Sequence, residues 1–477
     1  MTVKANYVAG AWAAPGTSIR QNLNPSNTGD VVGEFADATS EQVKDAAGAA
    51  RQALNPWRQA SLGARSRALL TIASEIRSRH DELSHLLSRE EGKALRDGMA
   101  EVTRAAEIFE FYAGEVFRMG GDRVASLRPG VGVEVLYEPV GVVGLITPWN
   151  FPLAIPAWKI APALAYGNAV LFKPSEIVPA SAWALTEIIS RAGVPAGLFN
   201  LLMGGGDVGS AIIDQVDAVS FTGSVATGRS VAERAAGRMI RAQCELGGKN
   251  PLLVAADADL EIAVTCALQG AFFQTGQRCT ASSRLVVDRA VVDRFTKALV
   301  ERMKELVIDE ATSAATDIGP VVDDRQLAKD LDYIAIAERG GARRIIGGET
   351  LNRRFPGYYL SPALFTDTTN DMRINREEIF GPIASIIAVD GYEEGLSVAN
   401  DTEFGLSASI VTRSLKLAQH FKSNIRAGLA MVNLPTAGID FHVPLSGMKS
   451  SSYGSPEMGH KAMDFYTKST TAYTFPG

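Results

Sequence analysis

From Val140 onward the chain alternates short apolar runs with amphipathic stretches, and no other feature narrows its fold so far. Such alternation predicts repeated strand–helix–strand units on a parallel sheet covered on both faces. Val140-Gly-Val-Val-Gly-Leu-Ile146 predicts a buried strand, followed by a loop at Thr147-Pro-Trp-Asn150. A helix from Ala154 then stops at Gly167-Asn168, a pair suited to a helix C-terminus. The pattern continues with a strand at Ala169–Phe172, a helix over Ala182–Ala192, a strand at Phe199–Met203, a short helix from Gly209, a strand at Ala218–Phe221 and a helix from Val225.

A second block opens with Pro251-Leu-Leu-Val254, where Asp257 or Asp259 can cap a helix running towards Phe273. The strand Arg284–Val287 and the helix Val291–Leu306 follow, and the break between lobes falls near Gly247-Gly248. At 477 residues the chain exceeds the size at which one core keeps growing, so two lobes are predicted. The first 120 or so residues read as mostly helical, with helices over Gln42–Ala60 and Ala64–Leu87. Gly132–Glu138 alternates like a half-exposed strand and Thr470–Phe475 is β-prone; edges of this kind are usually covered, and another subunit is the expected cover.

A net charge of −6 leaves no basic surplus for nucleic acid or an anionic membrane. The N-terminal residues carry no apolar run of signal-peptide length, and no segment approaches the ~20 apolar residues of a spanning helix, so a cytoplasmic location is expected. Three cysteines, Cys244, Cys266 and Cys279, are too few for a disulfide framework, which leaves at least one thiol free to act. The five histidines are not grouped with them at metal-ligand spacing, and no metal is assigned.

Three positions carry the chemical signal. Gly276-Gln-Arg-Cys279 puts a thiol on a glycine-bounded turn after a long helix, where a nucleophile can be presented instead of packed. Glu245-Leu-Gly-Gly248 puts a carboxylate before two glycines, where backbone can approach closely. Asn150 lies at the C-terminal end of a central strand, where open α/β sheets bind ligands. Singly each has a plainer reading, a packed thiol or a solvated acid. Gly204-Gly-Gly206-Asp-Val-Gly209 fits a dinucleotide glycine pattern but lacks the acidic residue expected about twenty positions on, so a simple strand-to-helix turn is an equal reading. Phe221-Thr-Gly-Ser224, at another strand end, is a second phosphate candidate.

Together these segments resemble the aldehyde dehydrogenase superfamily over nearly the whole chain. The resemblance rests on Thr147-Pro-Trp-Asn-Phe-Pro152, Lys173-Pro-Ser-Glu176, Phe221-Thr-Gly-Ser224, Glu245-Leu-Gly-Gly-Lys249, Gly276-Gln-Arg-Cys279, Glu377-Glu-Ile-Phe-Gly-Pro382 and Asn400-Asp-Thr-Glu-Phe-Gly-Leu406. It implies an α/β fold: a Rossmann-type cofactor domain over 1–121 and 140–247, an α/β catalytic domain over 248–446, and small β oligomerisation arms at 122–139 with the tail 447–477. It implies that Cys279 attacks the aldehyde, that Asn150 and the Cys279 N–H hold the oxyanion, and that Glu245 is the base that activates water against the thioester. It further implies NAD as cofactor, with NADP the alternative. Thr147, Trp149, Lys173, Ser175, Glu176, Gly223, Ser224, Glu378 and Phe380 would line the cofactor site.

Among members of that superfamily, the dehydrogenases of 2-oxoglutarate semialdehyde look most similar, through Ala154–Pro162, Gly276–Ser283 and Gly447–Ser451. Phe151, Ile155, Trp158 and Phe441 would wall a substrate tunnel, and Arg278 would either meet a distal carboxylate or brace its loop. A broad-specificity or succinate-semialdehyde-type dehydrogenase is the nearest alternative. A cysteine-dependent acyl hydrolase or transferase without redox chemistry is the alternative of another class. The implied assembly is a homodimer or homotetramer, and the partner a small-molecule aldehyde.

Overall fold

The computed structural model describes residues 2–16 and 18–477. Two sheets organise it. The larger has eight strands in the order Ser452–Tyr453, Arg241–Glu245, Ala218–Thr222, Val142–Ile146, Ala169–Lys173, Phe199–Leu201, Tyr7–Val8 and Ala11–Trp12. The five from Arg241–Glu245 to Phe199–Leu201 pair in parallel. Val142–Ile146, Ala169–Lys173 and Ala218–Thr222 are buried along their whole length, which is why they read as continuous apolar runs instead of alternating ones. From Val142–Ile146 the chain adds strands outward on one side and then returns to place Ala218–Thr222 on the other. The strand order therefore reverses between these two, and a crevice opens at their C-terminal ends.

The second sheet has seven strands, ordered Arg343–Ile346, Ala363–Thr366, Ile383–Val389, Ser282–Asp288, Asn250–Val254, Ser407–Val411 and Leu429–Val432. Only its first pair is antiparallel. Arg284 on its central strand is fully buried, and its guanidinium donates to the carbonyls of Lys249, Val398 and Ala399 and to Asn370 Oδ1. That satisfies a charge which would otherwise be costly in a core.

Three features depart from the sequence reading. The N-terminal region begins with strands, not helices: Ile19–Asn24 and Asn27–Ala36 form an antiparallel hairpin before the first helix, Ser40–Gln59. Its residues are polar on both faces, so no period-two pattern marks it. The helix expected over Ala64–Leu87 is two, Leu62–Ser78 and His80–Glu91, broken at Arg79 without a glycine or proline. The strand Gly132–Pro139 has no free edge: Asp122–Ala125 pairs with it on one side and the tail strand Thr467–Thr474 on the other. Its cover comes from its own chain. The tail also lends Ser452–Tyr453 to the large sheet. Among the described residues no helix is long and apolar enough to cross a membrane.

Candidate active site

Cys279 owes its position to a strained turn. Asp259 caps the helix Leu260–Ala271 by accepting from the N–H groups of Glu261 and Ile262. After that helix Gln274, Thr275 and Gly276 all adopt left-handed backbone, at φ 54, 57 and 64°. The two non-glycine residues cost roughly 1–2 kcal/mol each, most for the β-branched Thr275. Thr275 Oγ1 donates to the Gly319 carbonyl at 3.2 Å, and the Gln277 side chain accepts from the Val322 N–H at 2.9 Å, so the conformation is held from outside the turn. A Cβ on Gly276 would lie 2.3 Å from the Gly381 carbonyl oxygen, which reserves the site for glycine.

All three cysteines are free, and Cys279 alone is not fully buried. Burial pushes its thiol up to about 12, with the carboxylates of Glu378 and Glu245 adding to the effect, so it rests protonated and needs a base. Glu245 ends its strand, 4 % exposed. Ser452 Oγ donates to its Oε2 at 2.5 Å. Burial and then the neighbouring Glu457 hold the Glu245 carboxyl well above the ordinary range. Behind it Glu457 bonds to Lys159 and accepts from Ser220 Oγ at 3.0 Å, while Lys159 Nζ donates to Ser220 at 2.7 Å. Gly247 and Gly248 keep this corner open. A Cβ on Gly247 would lie 2.2 Å from Glu378 Oε2, and one on Gly248 would lie 2.5 Å from the Cys279 carbonyl oxygen. Asn150, 4 % exposed, donates through Nδ2 to the Gln277 carbonyl at 3.0 Å, which leaves the second N–H of its amide for another acceptor.

Cys279 and Glu245 line one cavity of about 290 Å³, with Phe151, Ile155 and Trp158 on its apolar side. Arg278 lines it too. Its Nη2 donates to the carbonyls of Gln269 and Gly270, a cation closing a helix C-terminus, and burial lowers the guanidinium to about 10, still charged at neutral pH. Phe441 is not on the lining. Its ring packs edge-on against Phe111 with centroids 5.9 Å apart, and the same loop presents Ala437, Gly438 and Ile439 to the cavity instead. Above Phe441, at 5.5 Å, lies Arg104, a cavity-lining cation that sequence reasoning missed; its Nη1 donates to the Ile439 carbonyl at 2.5 Å.

A second cleft of about 400 Å³ opens at the reversal in strand order, lined by Thr147, Trp149, Lys173, Ser175, Glu176, Gly223 and Ser224. Thr222 lines both spaces, so cleft and cavity meet at one residue. The first turns of the helices Gly206–Ile213 and Val225–Gly237 border the cleft and offer N–H groups to a phosphate. Thr147 Oγ1 and Thr222 Oγ1 are buried there without partners. This donor set fits a dinucleotide. Ser224 Oγ caps its own helix through the Thr227 N–H. Lys173 Nζ donates to the carbonyls of Pro174 and Gly204 and lies 3.6 Å from the carboxylate of Glu176, an exposed residue of the cleft wall. Glu378 and Phe380 do not line this cleft. Phe380, at φ 70°, meets Trp149 of the cleft wall edge-on at 5.3 Å, and Glu378 Oε1 accepts from the Gly248 N–H at 3.0 Å.

A model of the aldehyde dehydrogenase family matches residues 12–472. The chain is 40 % identical to the alpha-ketoglutaric semialdehyde dehydrogenase of Bacillus subtilis, over 99 % of this chain and 98 % of that protein. It is 41 % identical to the alpha-ketoglutarate semialdehyde dehydrogenase of Haloferax volcanii, over 98 % of each. A betaine aldehyde dehydrogenase of B. subtilis is 36 % identical over 98 % of this chain and 96 % of its own length. Among solved structures, betaine aldehyde dehydrogenase of Staphylococcus aureus in complex with NAD+ superposes with a TM-score of 0.96 at 32 % identity, covering 99 % of this chain and 95 % of that one.

Proposed function

The chain belongs to the aldehyde dehydrogenase family, and on that premise we propose that it oxidises an acidic semialdehyde of the 2-oxoglutarate semialdehyde class to the dicarboxylate, with NAD as the preferred cofactor. The observation that carries the reading is the meeting at Thr222 of a cavity holding a thiol, a base and two guanidinium groups with a cleft suited to a dinucleotide.

Cys279 Sγ bonds to the aldehyde carbon as its proton passes to the Glu245 carboxylate, whose proton affinity burial raises. The free N–H of Asn150 and the Cys279 N–H receive the developing oxyanion. NAD bound in the cleft supplies the hydride acceptor. Glu245 releases the first proton to solvent and then takes one from water, whose oxygen bonds to the thioester carbon as the C–S bond breaks and the departing Cys279 thiolate takes that proton back. The net change consumes aldehyde, water and oxidised cofactor and releases carboxylate, reduced cofactor and two protons.

Glu176 suits the hydroxyls of a ribose and repels a 2′-phosphate, which favours NAD over NADP. Arg104 and Arg278 favour a carboxylated substrate. The aromatic pair Phe151 and Trp158 would suit the quaternary ammonium of betaine aldehyde, the second reading, but two guanidinium groups on the same walls repel it. Three free cysteines suit a reducing compartment, and the proposed location is the cytoplasm. The proposed assembly is a homodimer or homotetramer.

The test is a panel of neutral, cationic and ω-carboxylated aldehydes assayed with NAD and NADP, using wild type, Arg104→Met and Arg278→Met. If each charged hydrogen bond contributes ~1.5–3 kcal/mol, the carboxylated class should lead neutral aldehydes of equal length by roughly ten- to a hundredfold in kcat/KM. One or both substitutions should narrow that lead. Equal efficiency across the classes sinks the acidic-substrate reading, and a kcat/KM favouring NADP sinks the role of Glu176.

A further inference from the structure

The loop that carries Asn150 is held by a cation sealed from water. Lys93, between the helices His80–Glu91 and Leu95–Glu115, is 0 % exposed and lines neither the cavity nor the cleft. Its Nζ donates to the Asn150 main-chain carbonyl at 2.6 Å and to Glu101 Oε2 at 2.7 Å, over the Phe151 ring at 4.2 Å. Glu101 Oε1 accepts from the N–H groups of Leu153 at 2.8 Å and Ala154 at 3.0 Å. One buried ion pair thus pins both ends of the segment Asn150–Ala154, which carries the proposed oxyanion amide. The other end of Asn150 is fixed by its bond to the Gln277 carbonyl, two residues before the nucleophile. Glu91 Oε2 stands farther off, at 3.8 Å from the ammonium, and burial pushes its carboxyl up to about 8, so Glu101, at 2.7 Å, is the nearer partner.

We infer that Lys93 is a positioning residue for the oxyanion amide: through the Asn150 carbonyl it fixes the backbone from which the second side-chain N–H is aimed, with Glu101 as its counter-charge and second anchor. Burying such a pair is seldom the most stable solution, since an apolar side chain of similar volume avoids desolvating two charges. What an ammonium provides here is a strong, directional bond to one carbonyl.

This rests on the reading of Asn150 as the oxyanion donor, and a double-mutant cycle separates the two claims. Single-turnover NADH formation at saturating cofactor is measured for wild type, Asn150→Ala, Lys93→Met and the double variant, with thermal melting as a check on folding. Loss of the amide in Asn150→Ala should slow the reaction by about 10²–10³-fold. Lys93→Met should slow it by about tenfold with the KM for NAD unchanged, a misplacement effect well within the range seen for displaced groups. In the Asn150→Ala background the same substitution should cost less than about twofold, because no amide remains to be aimed. Because Lys93→Met leaves Glu101 buried without its counter-charge, Lys93→Met combined with Glu101→Gln, which keeps an acceptor for Leu153 and Ala154, is taken through the same cycle. Additive losses, or a wild-type rate in a folded Lys93 variant, overturn the inference while the reading of Asn150 stands. A near-wild-type rate in Asn150→Ala overturns both.

Discussion

At the scale of single residues, the roles proposed for Cys279 and Glu245 rest on their surroundings. Cys244 and Cys266 are buried and line neither the cavity nor the cleft, so neither can reach a substrate in place of Cys279. Cys279→Ala should therefore lose all turnover, and substantial residual oxidation would refute the assignment. Glu245→Gln should act on a different step. A burst of NADH should survive while the steady-state rate falls, since deacylation needs the base more than acylation does; an unchanged steady-state rate would remove Glu245 from that role. Cys279 and Glu245 stood out in the sequence because each is a reactive type set beside glycine or a strand end, and the structure brings both to one cavity. Ser452 and Glu457, which touch or perturb Glu245, come from a segment about two hundred residues on in chain order, and no local pattern marks them. Lys159 did leave a trace: a lysine inside the otherwise apolar helix Ala154–Ala165 must find a buried partner. Arg104 left none, because a helix arginine with Glu107 three residues on reads as a solvated surface pair.

Elements were legible where burial imposed a simple period and hidden where it did not. The parallel strands stood out as apolar runs, and the helix starting at Leu260 was marked by Asp259, whereas the hairpin Ile19–Ala36 and the break at Arg79 carry no such signature. The left-handed turn before Cys279 was hidden for another reason: its backbone is set by contacts with Gly319–Val322, far along the chain. A buried helix cap gives a test at this scale. Glu90 accepts from the Ser181 N–H and hydroxyl and from the Ala180 N–H, capping the helix Pro179–Ser190, yet burial raises its carboxyl to about 7. Its folded pKa lies above the unfolded value of about 4.3, so the folded state binds more protons in between and this site's stability contribution falls as pH rises through that window. Glu90→Gln keeps an acceptor without the charge. Its melting temperature relative to wild type should therefore climb between about pH 4 and pH 7 and level off above, and a difference independent of pH would show that the carboxylate is not strained by its burial.

At the scale of the whole molecule, the two sheets each carry one of the proposed catalytic residues: Glu245 ends a strand of the first, and Cys279 lies on the turn leading into the Ser282–Asp288 strand of the second. Any motion of one sheet against the other would change the distance between the proposed base and nucleophile, which would give a rigid assembly a functional value. The three-stranded arm is suited to provide it. Its strands Asp122–Ala125 and Thr467–Thr474 are outer edges, and Val124, Leu136, Tyr473 and Phe475 are all at least 45 % exposed. Exposed edges next to exposed apolar side chains are a liability in a free monomer and an ordinary feature of a surface meant for a second copy. The arm is also continuous with the site, because the tail that supplies Thr467–Thr474 supplies Ser452 to Glu245 on the way. Sedimentation should accordingly find a dimer or a dimer of dimers at micromolar concentration. Leu136→Lys combined with Tyr473→Lys should shift it towards monomer and lower kcat with it, and a wild-type protein that sediments as a fully active monomer would be incompatible with assembly through this arm.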